Sequence, residues 1–363
     1  MCRIGKALVW RTSGPEGPCR FESCLLRHKF MIYQDRIYGE IEIKEPVILE
    51  LVNSKPIQRL KHIEQGGHPL TYYNPRHFPI SDIKHDRFEH SLGVYCLLNK
   101  FGASLEEQIA GLIHDVSHAT FSHCIDYVLD AGSQKEQNHQ DNIFKNFVRK
   151  SEVPEILRKY NFETDYIINE HNFPLLEKPL PDLCADRLDY SLRTAMIFRE
   201  ITKEEFSYLL GNLTAMDNKW VFSNFESAKK YAELFLKMNT FYFAGINSAV
   251  MFRTVGDVLK HALEKGYISE SDLYTTDEEV LNKVKQNLND ERLNLLFDRM
   301  ENKVKFENSP QNYDVRVFCK SRIVDPLFKE DDEIKRISDT DNDWKEILER
   351  EMQPKEYFIK FER

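Results

Sequence analysis

The sequence predicts a mainly α protein, with an all-helical body up to residue 265 and a small α+β region from 266 to 363. Two observations carry this. Between residues 46 and 265, apolar side chains recur at three- and four-residue spacing in one segment after another, as in helices that turn one face to a core. Sustained period-two alternation comes only after the composition shifts at Gly266, in the run from Tyr313 to Val324 that stops before Asp325-Pro326. At 363 residues the chain is long enough for one large helical core with an appendage.

Taken in order, residues 1 to 30 contain Gly14, Pro15, Gly17 and Pro18, show no sustained period, and lack the apolar stretch of a signal peptide. They are expected to be a poorly ordered extension, with Met31 as a natural start. The body, 31 to 265, opens on a strand-like Ile41-Glu42-Ile43. Helical signals follow at 46 to 64, 87 to 101, 104 to 115, 137 to 150, 181 to 198, 203 to 211, 224 to 243 and 246 to 265. In the third of these, Ser104 and Glu107 suggest a capping box and Ile109, Leu112 and Ile113 repeat at helical spacing, so a buried helix ends at His114-Asp115. Beyond Gly266, residues 277 to 300 read as a charged helix, and 355 to 361 as a strand partner for 313 to 324.

A formal charge of -9 argues against general affinity for nucleic-acid backbone, so any grip on phosphate must be local. Seven cysteines (Cys2, Cys19, Cys24, Cys96, Cys124, Cys184, Cys319) are scattered without a C-x-x-C pair, which fits a reducing, cytoplasmic setting better than a disulfide framework. No run approaches the roughly 18 apolar residues of a membrane span.

Chemistry concentrates in two fragments: Arg87-Phe88-Glu89-His90-Ser91-Leu92-Gly93, and His114-Asp115 followed by His118, His123 and Asp126. Imidazole and carboxylate donors together suit Fe, Mn, Zn, Co or Ni, and a metal with few protein ligands keeps positions for water and a phosphate oxygen. His85-Asp86 is a second such doublet, but it follows a polar stretch without apolar period and reads as a loop. Asp186, Asp189, Tyr190 and Arg193 fall at i, i+3, i+4 and i+7, hence on one helix face, where Asp189 and Arg193 read as an intrahelical ion pair.

These fragments, with Asp35-Arg36-Ile37-Tyr38-Gly39, Gln58-Arg59-Leu60, Gln65, Asp186-Arg187-Leu188-Asp189-Tyr190 and Val324-Asp325-Pro326-Leu327, resemble the HD-domain phosphohydrolases over most of residues 32 to 330. Within that family the resemblance is to the deoxynucleoside triphosphate triphosphohydrolases, here without a SAM domain. It implies His90, His114, Asp115 and Asp186 as ligands of a divalent transition metal, with Mg2+ on the substrate phosphates as an open companion. It further implies Arg87 and Arg187 on phosphate, Tyr190 on the sugar, Gln65 and His123 at the nucleotide, and His118, Asp126 and His139 as a proton-relay group beside the scissile phosphate. A nucleotide substrate and self-association follow from the same resemblance, with no membrane or nucleic-acid partner.

Two departures bear on the substrate. The loop from Gly66 to Asp86 is longer than expected for that branch, and Phe243 and Met251 stand where it carries an arginine and a tyrosine, with Arg253 two residues beyond as a substitute. Three readings are carried forward: release of triphosphate from deoxynucleoside triphosphates; hydrolysis of another phosphate mono- or diester; and a non-catalytic nucleotide sensor.

Overall fold

The computed structural model describes residues 30 to 67, 85 to 129 and 132 to 362. The extension expected at 1 to 30 and most of the Gly66–Asp86 loop therefore lie outside the described residues, apart from Phe30 and the loop's two ends.

Strands β1 (Met31–Asp35) and β2 (Gly39–Ile43) pair as an antiparallel hairpin. Asp35 turns it, its Oδ1 accepting the Ile37 and Tyr38 amides at 2.8 and 2.9 Å, and Gly39 supplies a φ of +82°. Helices α1 (Pro46–Val52) and α2 (Lys55–Arg59) follow, broken at Asn53-Ser54 because Pro56 restarts the chain. The central helix α3 (Arg87–Lys100) is capped by Asp86, whose Oδ1 accepts the Glu89 amide at 2.9 Å, and is buried on every side from Arg87 to Leu98. It packs on α4 (Leu105–Ile113), where a Cβ on Gly111 would meet Leu98 Cδ1 at 2.5 Å, so a side chain there would force Leu98 to shift. Ser104 caps α4, but the expected capping box is half made: Glu107 turns away to accept the Leu175 and Leu176 amides at 2.7 and 3.0 Å.

Next come α5 (His139–Lys150), α6 (Val153–Lys159), α7 (Thr164–Ile167), α8 (Ala185–Ile197) and α9 (Lys203–Gly211). The body is not all-helical. Besides β1 and β2 it holds β3 (Leu213–Met216) and β4 (Lys219–Phe222), joined by Asp217-Asn218 at φ +50° and +59°, the left-handed pair of a two-residue hairpin. Helices α10 (Phe225–Met238) and α11 (Ile246–Glu264) are separated by a π turn at Asn239–Phe243. Then α12 (Asp277–Lys285) and α13 (Glu291–Met300) divide the expected 277–300 helix, with Asp290 capping the second.

The C-terminal region carries β5 (Phe306–Asn308), β6 (Val315–Cys319), β7 (Leu327–Glu330), β8 (Glu333–Arg336), α14 (Ile337–Thr340), α15 (Asn342–Glu351) and β9 (Lys355–Phe361). β9 pairs antiparallel with β6 in a β5-β9-β6 sheet, while β7 pairs parallel with β4 in a β3-β4-β7-β8 sheet. The apolar interior does not divide at residue 265. One core spans the body and takes Ile323, Val324, Phe328, Ile337 and Trp344 from the C-terminal region; the other joins α11, α12 and α13 to Ala119–Ile125 and to β6 and β9. Among the described residues no helix is long and apolar enough to cross a membrane.

Candidate metal centre and active cavity

Two helix starts and one helix end converge on one point. His90 lies in the first turns of α3, His114-Asp115 just past α4, and Asp186 in the first turn of α8. His90 Nε2 is 2.9 Å from Asp186 Oδ1, 3.2 Å from His114 Nε2 and 3.7 Å from Asp115 Oδ2; His114 Nε2 is 3.4 Å from Asp115 Oδ1 and 3.5 Å from Asp186 Oδ1. The opposite nitrogens are occupied. His90 Nδ1 donates to Asp189 at 2.8 Å and His114 Nδ1 to the Gly111 carbonyl at 2.7 Å, which leaves both Nε2 lone pairs facing one point.

Two lone pairs and two carboxylates at that distance fit a divalent cation between them. The site's own electrostatics agree in sign: burial opposes charge on His90, yet Asp186 and Asp189 push its pKa up to about 9. Despite burial, Asp115 and Asp186 are held below the usual carboxylate range, by Arg87 and His114 in the first case and the two histidines in the second.

Behind His90 runs a buried line of charge. Arg193 donates from Nε and Nη2 to Asp189 at 3.0 Å each and pairs with Asp35 at 3.0 Å, so the turn of the β1-β2 hairpin is tied to the centre. Arg87 is buried and donates to Ser122 Oγ (2.7 Å), Asp115 Oδ2 (2.5 Å) and the Gln65 carbonyl (3.3 Å). The phosphate-binding arginine of the sequence reading thus also holds a carboxylate of the centre.

The expected relay group is arranged differently. Asp126 does not support His118: its Oδ2 lies 3.4 Å from His123 Nδ1 and its Oδ1 accepts the His139 amide at 2.9 Å. A three-residue separation on the 3-10 turn Ser122–Tyr127 brings His123 and Asp126 together. His118 sits edge-on to His123, with its Nε2 3.3 Å from Asp115 Oδ1, and burial and Arg87 hold it well below the ordinary imidazole pKa. His139 turns its ring outward from the site, stacking on Tyr274 and meeting its hydroxyl at 3.0 Å.

A cavity of about 640 Å³ opens over the centre, lined by Gln65, Arg87, His114, Asp115, His118, His123, Asp186, Arg187 and Tyr190 among others. His90, Asp126 and His139 stand behind its wall. A smaller apolar recess of about 100 Å³ shares Gln65, His123 and Tyr190 and is closed by Thr194, Phe198, Tyr242, Phe243 and Phe252. Arg187 is held against the wall by the Asp182 and Lys178 carbonyls at 2.6 and 3.2 Å and by Glu177 at 3.4 Å. Arg253 does not replace the missing arginine, because it pairs with Asp257 at 2.8 Å and lines neither space.

Residues 87 to 194 match the family model described as HD domain. A metal-dependent phosphohydrolase, cns2 of Cordyceps militaris, is 31% identical over 279 residues, 74% of this chain and 77% of that protein. The chain belongs to the HD-domain phosphohydrolase family. The uncharacterized YdhJ of Bacillus subtilis is 36% identical over 307 residues, 84% of this chain and 91% of its own length. The human deoxynucleoside triphosphate triphosphohydrolase SAMHD1 is 30% identical over 174 residues, 42% of this chain but 26% of that protein. A crystal structure of a phosphohydrolase from Bacteroides thetaiotaomicron shares the fold, with a TM-score of 0.67 at 18% identity over 92% of this chain and 100% of that one.

The HD domain begins at Arg87 and ends at Thr194, the last turn of α8, so it contains His90, His114, Asp115 and Asp186. What sequence reasoning missed within it is the second role of Asp189. The ion pair with Arg193 was expected; the bond to His90 crosses from one helix to another and leaves no spacing signal. Gly93 carried an indirect one, since a Cβ there would meet Arg193 Nη2 and Asp189 Oδ2 at 2.1 Å each. Outside the HD domain, Lys320 and Arg322 also reach the cavity, and nothing in the alternating run that contains them indicated it.

Proposed function

We propose that this HD-domain protein is a metal-dependent nucleotide phosphohydrolase that cleaves deoxynucleoside triphosphates to deoxynucleoside and inorganic triphosphate, with the ion held by His90, His114, Asp115 and Asp186. The observation that carries it is the meeting of two Nε2 lone pairs and two carboxylates at the floor of a cavity large enough for a nucleotide. A divalent ion held by these residues would supply Lewis acidity, polarising a phosphate oxygen and making water a better nucleophile at neutral pH.

The protein's own groups then divide the remaining work. Arg187 offers a fixed guanidinium to phosphate oxygens, in a geometry that suits them better than a point charge. Tyr190, whose buried hydroxyl has no hydrogen-bond partner among the described residues, stands between the cavity and the apolar recess, where a sugar would join phosphate to base. His123, with Nδ1 toward Asp126, exchanges its proton with substrate at Nε2; protonated, it serves the departing oxygen while Asp126 stabilises the imidazolium. His118 stays neutral and positions Asp115. Similarity to SAMHD1 supports the triphosphate reading.

A second reading, hydrolysis of a phosphate monoester or diester, is favoured by Phe243 and Met251 at the places of the missing contacts and by the Arg253–Asp257 pair. Chromatography of products from metal-replete protein given the four deoxynucleoside triphosphates, ribonucleotides, monophosphates and cyclic nucleotides separates the two. Triphosphate release supports the first, cleavage confined to monophosphates or diesters replaces it with the second, and tight binding without turnover would favour a sensor.

A further inference from the structure

Lys320, Ser321 and Arg322 follow β6, and Lys320 and Arg322 line the part of the cavity that the proposed chemistry leaves unused. Their backbone is fixed from the π turn: fully buried Asn239 donates from Nδ2 to Ser321 Oγ at 3.0 Å and accepts the Arg322 amide on Oδ1 at 3.0 Å. Lys320 is half-buried, and its ammonium makes no hydrogen bond or ion pair among the described residues. Among the described residues Arg322 donates only to neutral acceptors, Gln137 Oε1 at 3.0 Å and the Lys320 carbonyl at 3.3 Å.

A partly desolvated cation without a directly paired counter-charge is unfavourable until an anion joins it. Burial and Arg322 lower the Lys320 pKa, and Arg187 acts in the same direction, together outweighing the upward pull of Asp141 and Glu136. Lys320, Arg322 and Arg187 thus line one cavity with an anionic floor at Asp115 and Asp186, alongside further lining charges of both signs (Arg87, Lys145 and Lys178; Asp141, Glu170 and Glu177), in a chain of formal charge -9. That polarity suits a ligand with one phosphate at the metal and more negative charge trailing away from it.

We propose that Lys320 and Arg322, with Arg187, form a subsite for the distal phosphates of an oligophosphate chain and so select nucleoside triphosphates over monophosphates. This rests on the phosphohydrolase reading and supplies the grip that Phe243, Met251 and Arg253 do not.

The test is calorimetric binding of inorganic tripolyphosphate and of orthophosphate to the metal-loaded full chain, comparing the natural protein with Lys320→Gln, Arg322→Gln, the double variant and Lys320→Arg. Loss of either charge should weaken tripolyphosphate about tenfold or more while orthophosphate binding shifts far less, and Lys320→Arg should keep most of the affinity. Metal content and melting temperature establish that each variant is folded. Unchanged tripolyphosphate affinity in the double variant, or equal weakening of both anions, overturns the subsite. A second measurement needs no variant: tripolyphosphate, unlike orthophosphate, should protect Lys320 from an amine-acylating reagent read by mass spectrometry, and absence of protection overturns it as well. Neither readout requires turnover, so failure to cleave deoxynucleoside triphosphates would defeat the proposed reaction without deciding the subsite.

Discussion

Asp189 accepts the His90 Nδ1 proton at 2.8 Å, and this bond between α8 and α3 decides which nitrogen of His90 faces the metal centre. Replacing Asp189 with Asn keeps the size of the side chain but weakens its hold on the ring and on Arg193. Metal affinity should fall about 10- to 100-fold, the usual effect of losing an outer partner of a ligand. His114→Ala and Asp115→Ala should lose the ion outright. Elemental analysis after dialysis measures both, and undiminished metal in either ligand variant would show the assigned centre to be wrong.

His123 and His118 should separate in kinetics. His123→Ala is expected to retain metal and lose about a hundredfold to ten-thousandfold in turnover, the range of a positioned acid or base. His118→Ala should act mainly through Asp115 and shift metal affinity as well. Single-turnover rates paired with metal content distinguish them, and a His123 variant with full activity would return the relay to His118.

The pH dependence follows from His123 as well. Burial lowers its pKa from the ordinary 6.5, against the opposing pull of Asp126. If the protonated ring serves the departing oxygen, the rate falls as pH rises through that lowered value. Asp126→Asn removes the pull upward and should move this limb to still lower pH. A limb that stays in place in the Asp126→Asn pH–rate profile excludes the pair.

Gly93→Ala should destabilise the protein by about 1 to 3 kcal/mol, the usual range for overpacking a tight interior, and should loosen the metal at the same time. The reason is contact, since its Cβ would overlap the Asp189 and Arg193 groups that hold His90. Thermal melting with and without added metal tests this; equal melting points in the natural and Ala proteins would contradict the close approach of α3 and α8.

Asp277, at the start of α12, accepts the Glu64 and Phe121 amides at 2.8 Å each, and burial pushes its pKa up to about 7. A carboxyl raised on folding binds more protons in the native state, so its contribution is fully present below about pH 4 and is lost as pH rises through 7. Stability should therefore decline from pH 5 to 8 by an amount that Asp277→Asn abolishes. Denaturant melts at both pH values read the difference, and an unaltered slope in the variant removes Asp277 as its source.

The convergence of His90, His114, Asp115 and Asp186 was legible because each has a local marker: Asp86 and the Arg87–Gly93 run open α3, Ser104 fixes the start of α4, and Asp186 lies in the first turn of α8. Local spacing also paired Asp189 with Arg193. It could not choose between His118 and His123 as the partner of Asp126, since eight- and three-residue separations are both open until the 3-10 turn is known. The β3-β4 hairpin was readable at Asp217-Asn218 but was hidden between two strong helical periods. The division of the core was not legible at all, because the contacts of Ile323, Val324 and Trp344 with the body depend on β7 joining β4.

That parallel pairing has a consequence for synthesis. All four candidate ligands have been synthesised once Asp186 is made, yet β4 cannot gain β7 until residue 330 has emerged, nor can the first core receive Trp344 until still later. A nascent chain therefore carries the candidate metal-binding side chains through a long interval in which their enclosure is unfinished. Chains halted near residue 265 should expose apolar surface and be cleared by proteases, even though every residue of the HD domain is present.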